Sequence, residues 1–294
     1  MKHITEINKI IQEAVKSTRN KAKKKIIKLQ EPDFTAALAV EFPSIMSKSK
    51  TFPNVRFGGC FIHQSPMATF NGGRCELGDL MIFVHKQTMD GDRYNASLVQ
   101  IKKTDKSPVK ITAGNELKQL FLYENWPSIF VKQLRSQYDI FPKTCTKGGT
   151  YCIIKDSERQ SVQFYMAEPL HTMQCDSNNT LGRYIVNMID WQAGRVIADE
   201  KNKDSDEWSR LIWDLLHYCE TAVFKRNNSG YVNPNPQRGT LCFLQQMLDD
   251  PKAFSVDFIQ NDDNASVNED ENNRGFAILF VEVNENETVR NITQ

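Results

Sequence analysis

Three polar residues, Asp79, Gln100 and Lys102, have the types and the spacing that metal-assisted cleavage of a phosphodiester requires. Asp79 stands directly before the apolar run 80–84, which is typical of a buried β-strand. Gln100 and Lys102 lie two apart in the next predicted strand and therefore on the same side of it. The turn D-G-D at 90–92 joins the two strands as a hairpin. The pattern predicts one site at the end of this hairpin.

The chemistry of such a site is hydrolysis assisted by a divalent cation. Mg²⁺ takes hard oxygen ligands and keeps several waters. Asp79 offers a carboxylate, Gln100 an amide oxygen and Ile101 a backbone carbonyl. Lys102 offers the cation that stabilises charge on the scissile phosphate and orients the attacking water. We therefore predict a Mg²⁺ (or Mn²⁺) site with Lys102 beside it.

Asp79 followed by Gln100-Ile101-Lys102 at the end of a predicted meander resembles the PD-(D/E)xK nuclease superfamily in its Q-x-K form. Mrr-type restriction endonucleases and several bacterial anti-phage effector nucleases share that form. The resemblance covers about residues 33–125. It implies an α/β (α+β) fold, with a restriction-endonuclease-like core of a mixed β-sheet flanked by helices and a C-terminal α/β elaboration. It also implies a Mg²⁺-dependent DNA endonuclease of restriction or anti-phage defence.

The resemblance assigns further residues and exposes two departures. The optional helix acid of the family falls on Glu41, as a catalytic residue and metal ligand. Glu76, three residues before Asp79, is a weaker candidate. Gly78 stands where the family commonly has proline. Gln100 replaces the commoner acid, which lowers the negative charge around the metal.

The elements that must position these residues follow in the order that the family requires. The predicted core is a helix, three strands in a meander, and a second helix, and an amphipathic segment comes after it. The helix runs from 33 to about 41, the strands lie near 60–64, 79–84 and 97–102, the second helix spans 115–124, and the amphipathic segment spans 129–138.

The domain organisation divides the chain into an N-terminal helical segment (1–32), the nuclease-like core (33–144) and an extension (145–294). The extension carries predicted strands at 148–155 and 162–167, a helix at 206–224 and a final apolar strand from 275 to 283. Because an apolar strand must be buried in a sheet, we expect the extension to pack on the core. One continuous domain is the alternative.

A nucleic-acid partner would have to meet a local basic patch, because the net charge of the 294 residues is only +1. The best candidate is the run Lys21, Lys23, Lys24 and Lys25; its alternative interpretation is a solvated helix face or linker. We expect a homodimer, since two symmetric sites cut both strands of DNA most simply. A partner protein of a defence operon is a further expectation.

The expected location is the cytoplasm, with no membrane partner. The N-terminus lacks the apolar core of a signal peptide, and no stretch approaches the roughly 18 apolar residues of a membrane span. The seven cysteines form no CxxC pair, which argues against a zinc ribbon.

Three alternatives remain open at this point. Gln100 and Lys102 could lie on a solvent-facing edge, with Val99 and Ile101 in the core. The protein could be an inactive binding or sensing module whose surface includes Trp208, Trp213 and the loop 227–239. It could also be a nuclease acting on RNA, which the sequence does not distinguish from one acting on DNA.

Overall fold

The computed structural model describes residues 2–22, 29–49, 51–62, 65–143, 146–156, 161–221 and 275–285. Within this part, no helix is both long and apolar enough to cross a membrane. The helices are α1 (Lys2–Ala22), α2 (Glu31–Ala36), a π-helical turn (Ala37–Glu41), α3 (Phe42–Met46), α4 (Gly114–Asn125), α5 (Leu181–Ile189) and α6 (Glu207–Thr221).

The strands form one large sheet and two small ones. In chain order they are β1 (Val55–Ile62), β2 (Met67–Phe70), β3 (Gly73–Glu76), β4 (Leu80–Thr88), β5 (Gly91–Lys103), β6 (Val109–Lys110), β7 (Ile129–Val131), β8 (Ser136–Tyr138), β9 (Gly149–Lys155), β10 (Gln163–Ala167), β11 (Thr172–Met173), β12 (Arg195–Ile197) and β13 (Phe276–Asn284). The predicted amphipathic segment 129–138 is thus a β-hairpin, β7–β8.

The large sheet is mixed and is flanked by helices, which confirms the predicted fold class at that level. Its order is β1-β13-β4-β5-β9-β10, with β12 paired to the first half of β5. β13 runs parallel to β4, β9 runs parallel to β5, and the other neighbours are antiparallel. A four-stranded accessory sheet has the order β3-β2-β7-β8, and β6 pairs with β11.

β13 separates β1 from the β4–β5 hairpin, so the predicted meander is wrong. Leu279 of β13 pairs with Gly59 on one side and with Ile82 on the other. All residues of β13 from Phe276 to Val283 are buried. A strand that is buried along this length, and apolar except for Glu282, is best accommodated in the interior of a sheet, where both of its edges are hydrogen-bonded.

The side chains of β4 alternate between two buried layers. Leu80, Ile82 and Val84 pack with α1, the helical segment from α2 to α3, and α5. Met81 and Phe83 pack with α4, α6 and the accessory sheet. By the same alternation, the side chain of Asp79, two residues before Met81, lies in the layer that contains α4.

The start of α2 is fixed against the end of β5. Asp33 accepts a hydrogen bond from the backbone N–H of Gln30 (2.7 Å), and Pro32 occupies the first turn, where a missing N–H costs little. The side chain of Glu31 then accepts the backbone N–H of Lys103 (2.7 Å). An acid at the beginning of this helix is thereby placed beside the strand that carries Gln100.

Gly59→Ala is expected to lower the free energy of unfolding by about 1–3 kcal/mol. A Cβ at this position would overlap the carbonyl oxygen of Ala39 and lie 2.8 Å from that of Ile278. Neither oxygen can turn aside, because both belong to the backbone. Urea denaturation measures the change, and Lys9→Ala on the exposed face of α1 is the control, expected within about 0.5 kcal/mol of wild type. Unchanged stability of Gly59→Ala would contradict the packing of the π-helical turn on β1.

Candidate active site

The backbone of Asp79 is held on both sides. Its N–H donates to the carbonyl of Val99 in β5 (3.0 Å), and its carbonyl accepts the N–H of Ala277 in β13 (2.9 Å). Asp79 thus stands at the entry of β4 with hydrogen bonds to both neighbouring strands. These two hydrogen bonds fix the backbone position from which its side chain extends.

The carboxylate of Asp79 contacts the end of β5. Its Oδ2 accepts the backbone N–H of Ile101 (2.6 Å) and a second hydrogen bond from Nε2 of Gln100. Because a strand residue directs its N–H and its carbonyl to the same edge, the Ile101 carbonyl is expected on that edge too. The structure therefore brings Asp79, Gln100 and the backbone of Ile101 together.

The amide of Gln100 is buried, with 2% of the residue exposed. Its Oε1 has no hydrogen-bond donor among the described residues. Leaving a buried acceptor without a partner costs about 1–3 kcal/mol, so this oxygen suits a cation or a bound water. The alternative in which Gln100 lies on a solvent-facing edge is wrong.

Lys102 occupies the same face of β5 as Gln100. Its side chain is 15% exposed, and its Nζ lies 3.3 Å from Oε1 of Glu116 in α4. Lys102 also acts on Asp79, since its charge lowers the pKa of that carboxyl. The predicted cation and the predicted carboxylate therefore belong to one electrostatic site.

The surroundings of Asp79 carry more negative charge than Lys102 offsets. Burial raises the pKa of the Asp79 carboxyl well above its usual value, and the charges of Glu76 and Glu31 raise it further. The Ile101 N–H and Lys102 act in the opposite direction and are outweighed. This excess of negative charge around Asp79 favours the binding of a cation.

Helix α4 closes the site from one side through Tyr123. The hydroxyl of Tyr123 donates to the carbonyl of Leu77 (2.9 Å). A Cβ on Gly78 would lie 3.0 Å from that hydroxyl and 3.4 Å from the carbonyl of Val99. The glycine that departs from the family's proline is therefore the residue that lets α4 approach Asp79 closely.

Two further polar groups near the site were missed from the sequence. Tyr151 of β9 is paired with Gln100 across the sheet, is fully buried, and has a hydroxyl without a hydrogen-bond partner among the described residues. Gln119 lies one turn after Glu116 on α4, and its buried Oε1 likewise has no donor there. The i, i+3 spacing of Glu116 and Gln119 was the available signal.

The remaining predicted residues lie elsewhere or outside the described part. Glu41, at the end of the π-helical turn, accepts a hydrogen bond from Ser17 (2.8 Å). The acid of this helical segment that acts on Asp79 is Glu31 instead. Lys21 lies in α1, and the stretch Lys23–Lys25 falls outside the described residues.

The two tryptophans proposed as interaction surface are in the core. Trp208 is fully buried against Trp126 (ring centroids 5.3 Å apart), and Trp213 is packed on Phe83. That part of the binding-module hypothesis is wrong, because indoles in the interior cannot contact a partner. The loop 227–239 lies outside the described residues.

The donor set fits a hard divalent cation by its chemistry. It comprises one carboxylate, one buried amide oxygen without a donor and one backbone carbonyl, all of which are oxygen ligands. Within the described ranges, no three His, Cys, Asp or Glu side chains are grouped so that they could hold a metal. A metal at Asp79 would therefore depend on the amide and backbone oxygens rather than on a second and third carboxylate.

In comparisons with protein-family models, with curated proteins and with solved structures, nothing matches this chain. The resemblance to a nuclease superfamily thus depends on the residues and their arrangement alone.

Asp79→Asn is expected to raise the melting temperature at pH 7–8 in metal-free buffer. The folded protein holds the Asp79 proton more tightly than the unfolded chain, so wild type loses stability as the pH rises from the ordinary aspartate value of about 4 toward the raised folded pKa. Asparagine has no such proton to lose. The advantage should shrink as the pH falls toward about 4.

Scanning calorimetry across this pH range measures the difference, and Asp156→Asn provides a control of opposite sign. Burial opposes ionisation of Asp156, but hydrogen bonds from Lys103 and Arg19 outweigh it and lower the pKa of Asp156. Asp156→Asn should therefore be less stable than wild type at pH 7. If Asp79→Asn were less stable than wild type at pH 7–8, the result would contradict a raised pKa of the Asp79 carboxyl in the folded protein.

Proposed function

We propose that this protein is a metal-dependent endonuclease of the PD-(D/E)xK type, in its Q-x-K form, that hydrolyses DNA. The observation that carries the proposal is the meeting of the Asp79 carboxylate, the Gln100 amide and the Ile101 backbone, with Lys102 on the same face. Fixed oxygen donors beside a lysine in a locally negative setting are the parts that phosphodiester hydrolysis needs.

The ligands of the metal would be Asp79, the Oε1 of Gln100 and the Ile101 carbonyl. A bound Mg²⁺ or Mn²⁺ supplies Lewis-acid stabilisation of the phosphate and a water of lowered pKa. The chain itself holds Asp79 rigidly, since Val99 and Ala277 fix its backbone. Glu76 and Glu31 strengthen the negative potential without contributing to the donor set named here.

Lys102 orients the attacking water or stabilises the negative charge that develops on the phosphate. Its stem is largely buried, so its ammonium group has a restricted range of positions. The contact with Glu116 holds the ammonium near Asp79 in the absence of substrate. A phosphate entering the site would offer this ammonium a second anionic partner.

The order of elements supports a restriction-endonuclease-like core. A helical segment (α2 to α3) precedes the strands, β4 and β5 form the hairpin, and α4 leads to β9, which is parallel to β5. The departure is β13, which lies between β1 and β4. Because the N–H of Ala277 in β13 donates to the carbonyl of Asp79, this additional strand helps to fix the backbone of Asp79.

The biological setting belongs to the same proposal. Nucleases of the Q-x-K form serve bacterial restriction and anti-phage defence, and two copies of the site in a homodimer would cut both strands of a duplex. Digestion of DNA and RNA side by side tests the choice of polymer. Preferential cleavage of RNA would replace DNA in the proposal and leave the site unchanged.

Asp79→Ala and Lys102→Ala are each expected to lower Mg²⁺- or Mn²⁺-dependent plasmid cleavage by at least about 100-fold. Lys103→Ala is the matched control on the opposite face of β5, where Lys103 contacts the carbonyl of Leu29 and the carboxylate of Asp156. Its cleavage rate per folded molecule should stay within a few-fold of wild type. Undiminished cleavage by Asp79→Ala and Lys102→Ala would remove the assigned site.

Mg²⁺ is expected to raise the melting temperature of the wild type but not of Asp79→Ala. At a concentration ten times the dissociation constant, one bound ion adds about 1.4 kcal/mol to the free energy of unfolding. Lys102→Ala should keep this response while losing cleavage, because Lys102 is not a ligand. A thermal-shift titration measures it, and an equal response in Asp79→Ala would place the ion elsewhere.

A further inference from the structure

The outer face of the accessory sheet carries a polar and aromatic row across all four strands. Arg74 of β3 pairs with Thr69 of β2, Thr69 pairs with Phe130 of β7, and Phe130 pairs with Gln137 of β8. All four residues are exposed. The phenyl ring of Phe130, 44% exposed, thereby lies between hydrogen-bonding side chains on the two neighbouring strands.

Two more cations border this row. Lys132 and Arg135 lie in the turn 132–135 that joins β7 to β8, directly beyond the ends of the strands that carry Phe130 and Gln137. Both are exposed. In the described part of the chain, no ion pair involves Arg74, Lys132 or Arg135, so their charges are available to an external anion.

This outer face leads into the site of Asp79. β3 ends at Glu76, and only Leu77 and Gly78 separate that strand from Asp79. The N–H of Leu77 donates to the carbonyl of Pro66 (2.8 Å), which fixes the connection. The end of β3 is therefore connected to the candidate active site by two residues.

We propose that the outer face of the accessory sheet binds single-stranded nucleic acid, with one base stacked on Phe130 and the backbone phosphates on Arg74, Lys132 and Arg135. The proposal deepens the proposed function and rests on it in one respect: the bound strand is an unpaired stretch of the nucleic acid whose continuation reaches Asp79. An exposed aromatic ring needs an uncovered base face, which an unpaired strand offers and an intact duplex does not.

The charge of the face selects this ligand over a protein partner. The face and its adjoining turn carry three cations and one exposed aromatic ring, which suits a polyanion with flat bases better than the apolar centre of a protein–protein contact. Thr69 and Gln137 can form hydrogen bonds with base edges or sugars. Glu76 lies at the end of the face nearest Asp79, where a metal rather than a phosphate is expected.

The test uses full-length Asp79→Asn protein in EDTA, so that cleavage cannot consume the probe. Fluorescence anisotropy compares labelled dT and rU oligomers of about 15 nucleotides with a duplex of the same length. Phe130→Ala is expected to weaken oligomer binding by at least about 5-fold, whereas Phe130→Trp retains it. Arg74→Ala should reduce the slope of log affinity against log salt by about 0.7.

Phe141→Ala, which removes an exposed phenylalanine outside this face, is the matched control and should leave binding unchanged. Tighter binding of the oligomers than of the duplex supports the proposal. The oligomer that binds more tightly, dT or rU, identifies the polymer. Equal binding by Phe130→Ala and its parent, or the absence of oligomer binding, overturns it. A Phe130-dependent change in self-association without oligomer binding overturns it as well.

The failure of this inference is distinguishable from that of the proposed function. If Asp79-dependent cleavage occurs while Phe130→Ala binds single strands normally, the outer face is not the binding surface and the nuclease assignment stands. If Phe130-dependent binding occurs while wild-type protein with Mg²⁺ or Mn²⁺ cuts nothing, the face binds nucleic acid and the nuclease assignment fails.

Discussion

The constraint on which the structure depends is the fixed position of one carboxylate, that of Asp79, at the junction of three strands. β5 and β13 hold its backbone, and the N–H of Ile101 holds its Oδ2. Desolvation of this carboxylate, together with the charges of Glu76 and Glu31, raises its pKa and costs stability at neutral pH. Perturbed carboxyl groups of this kind concentrate at functional sites. In the proposed function, a divalent cation offsets the cost.

The position of β13 links this site to the completion of the fold. Ala277 donates to the carbonyl of Asp79, yet the two residues are far apart along the chain. The hairpin β4–β5 can form from local sequence alone, whereas the second anchor of Asp79 exists only after β13 has entered the sheet. A contact of such long range is entropically expensive to close, and the extensive burial of β13 is what compensates for it.

Local signals predicted the hairpin, α4 and α6, because apolar alternation and three-and-four spacing are properties of short windows. Local signals could not predict the strand order, because the sequence pattern of a buried strand does not depend on which strands flank it in the sheet. Glu41 was assigned as the helix acid by the family resemblance alone. In the structure Glu41 accepts a hydrogen bond from Ser17, whereas Glu31, whose side chain accepts the N–H of Lys103 at the end of β5, is the acid of this segment whose charge acts on Asp79. The hairpin β7–β8 was missed because its short amphipathic strands do not distinguish a helix from a strand.

The most direct test of the central claim is the location of a bound metal. Crystals of the wild-type protein grown or soaked with MnCl₂ would give anomalous diffraction that identifies the ion independently of any activity. We predict an anomalous peak within coordination distance, about 2.0–2.3 Å, of the Asp79 carboxylate, with the Gln100 amide oxygen and the Ile101 carbonyl as further ligands. A fully occupied manganese site elsewhere, with none at Asp79, would contradict it.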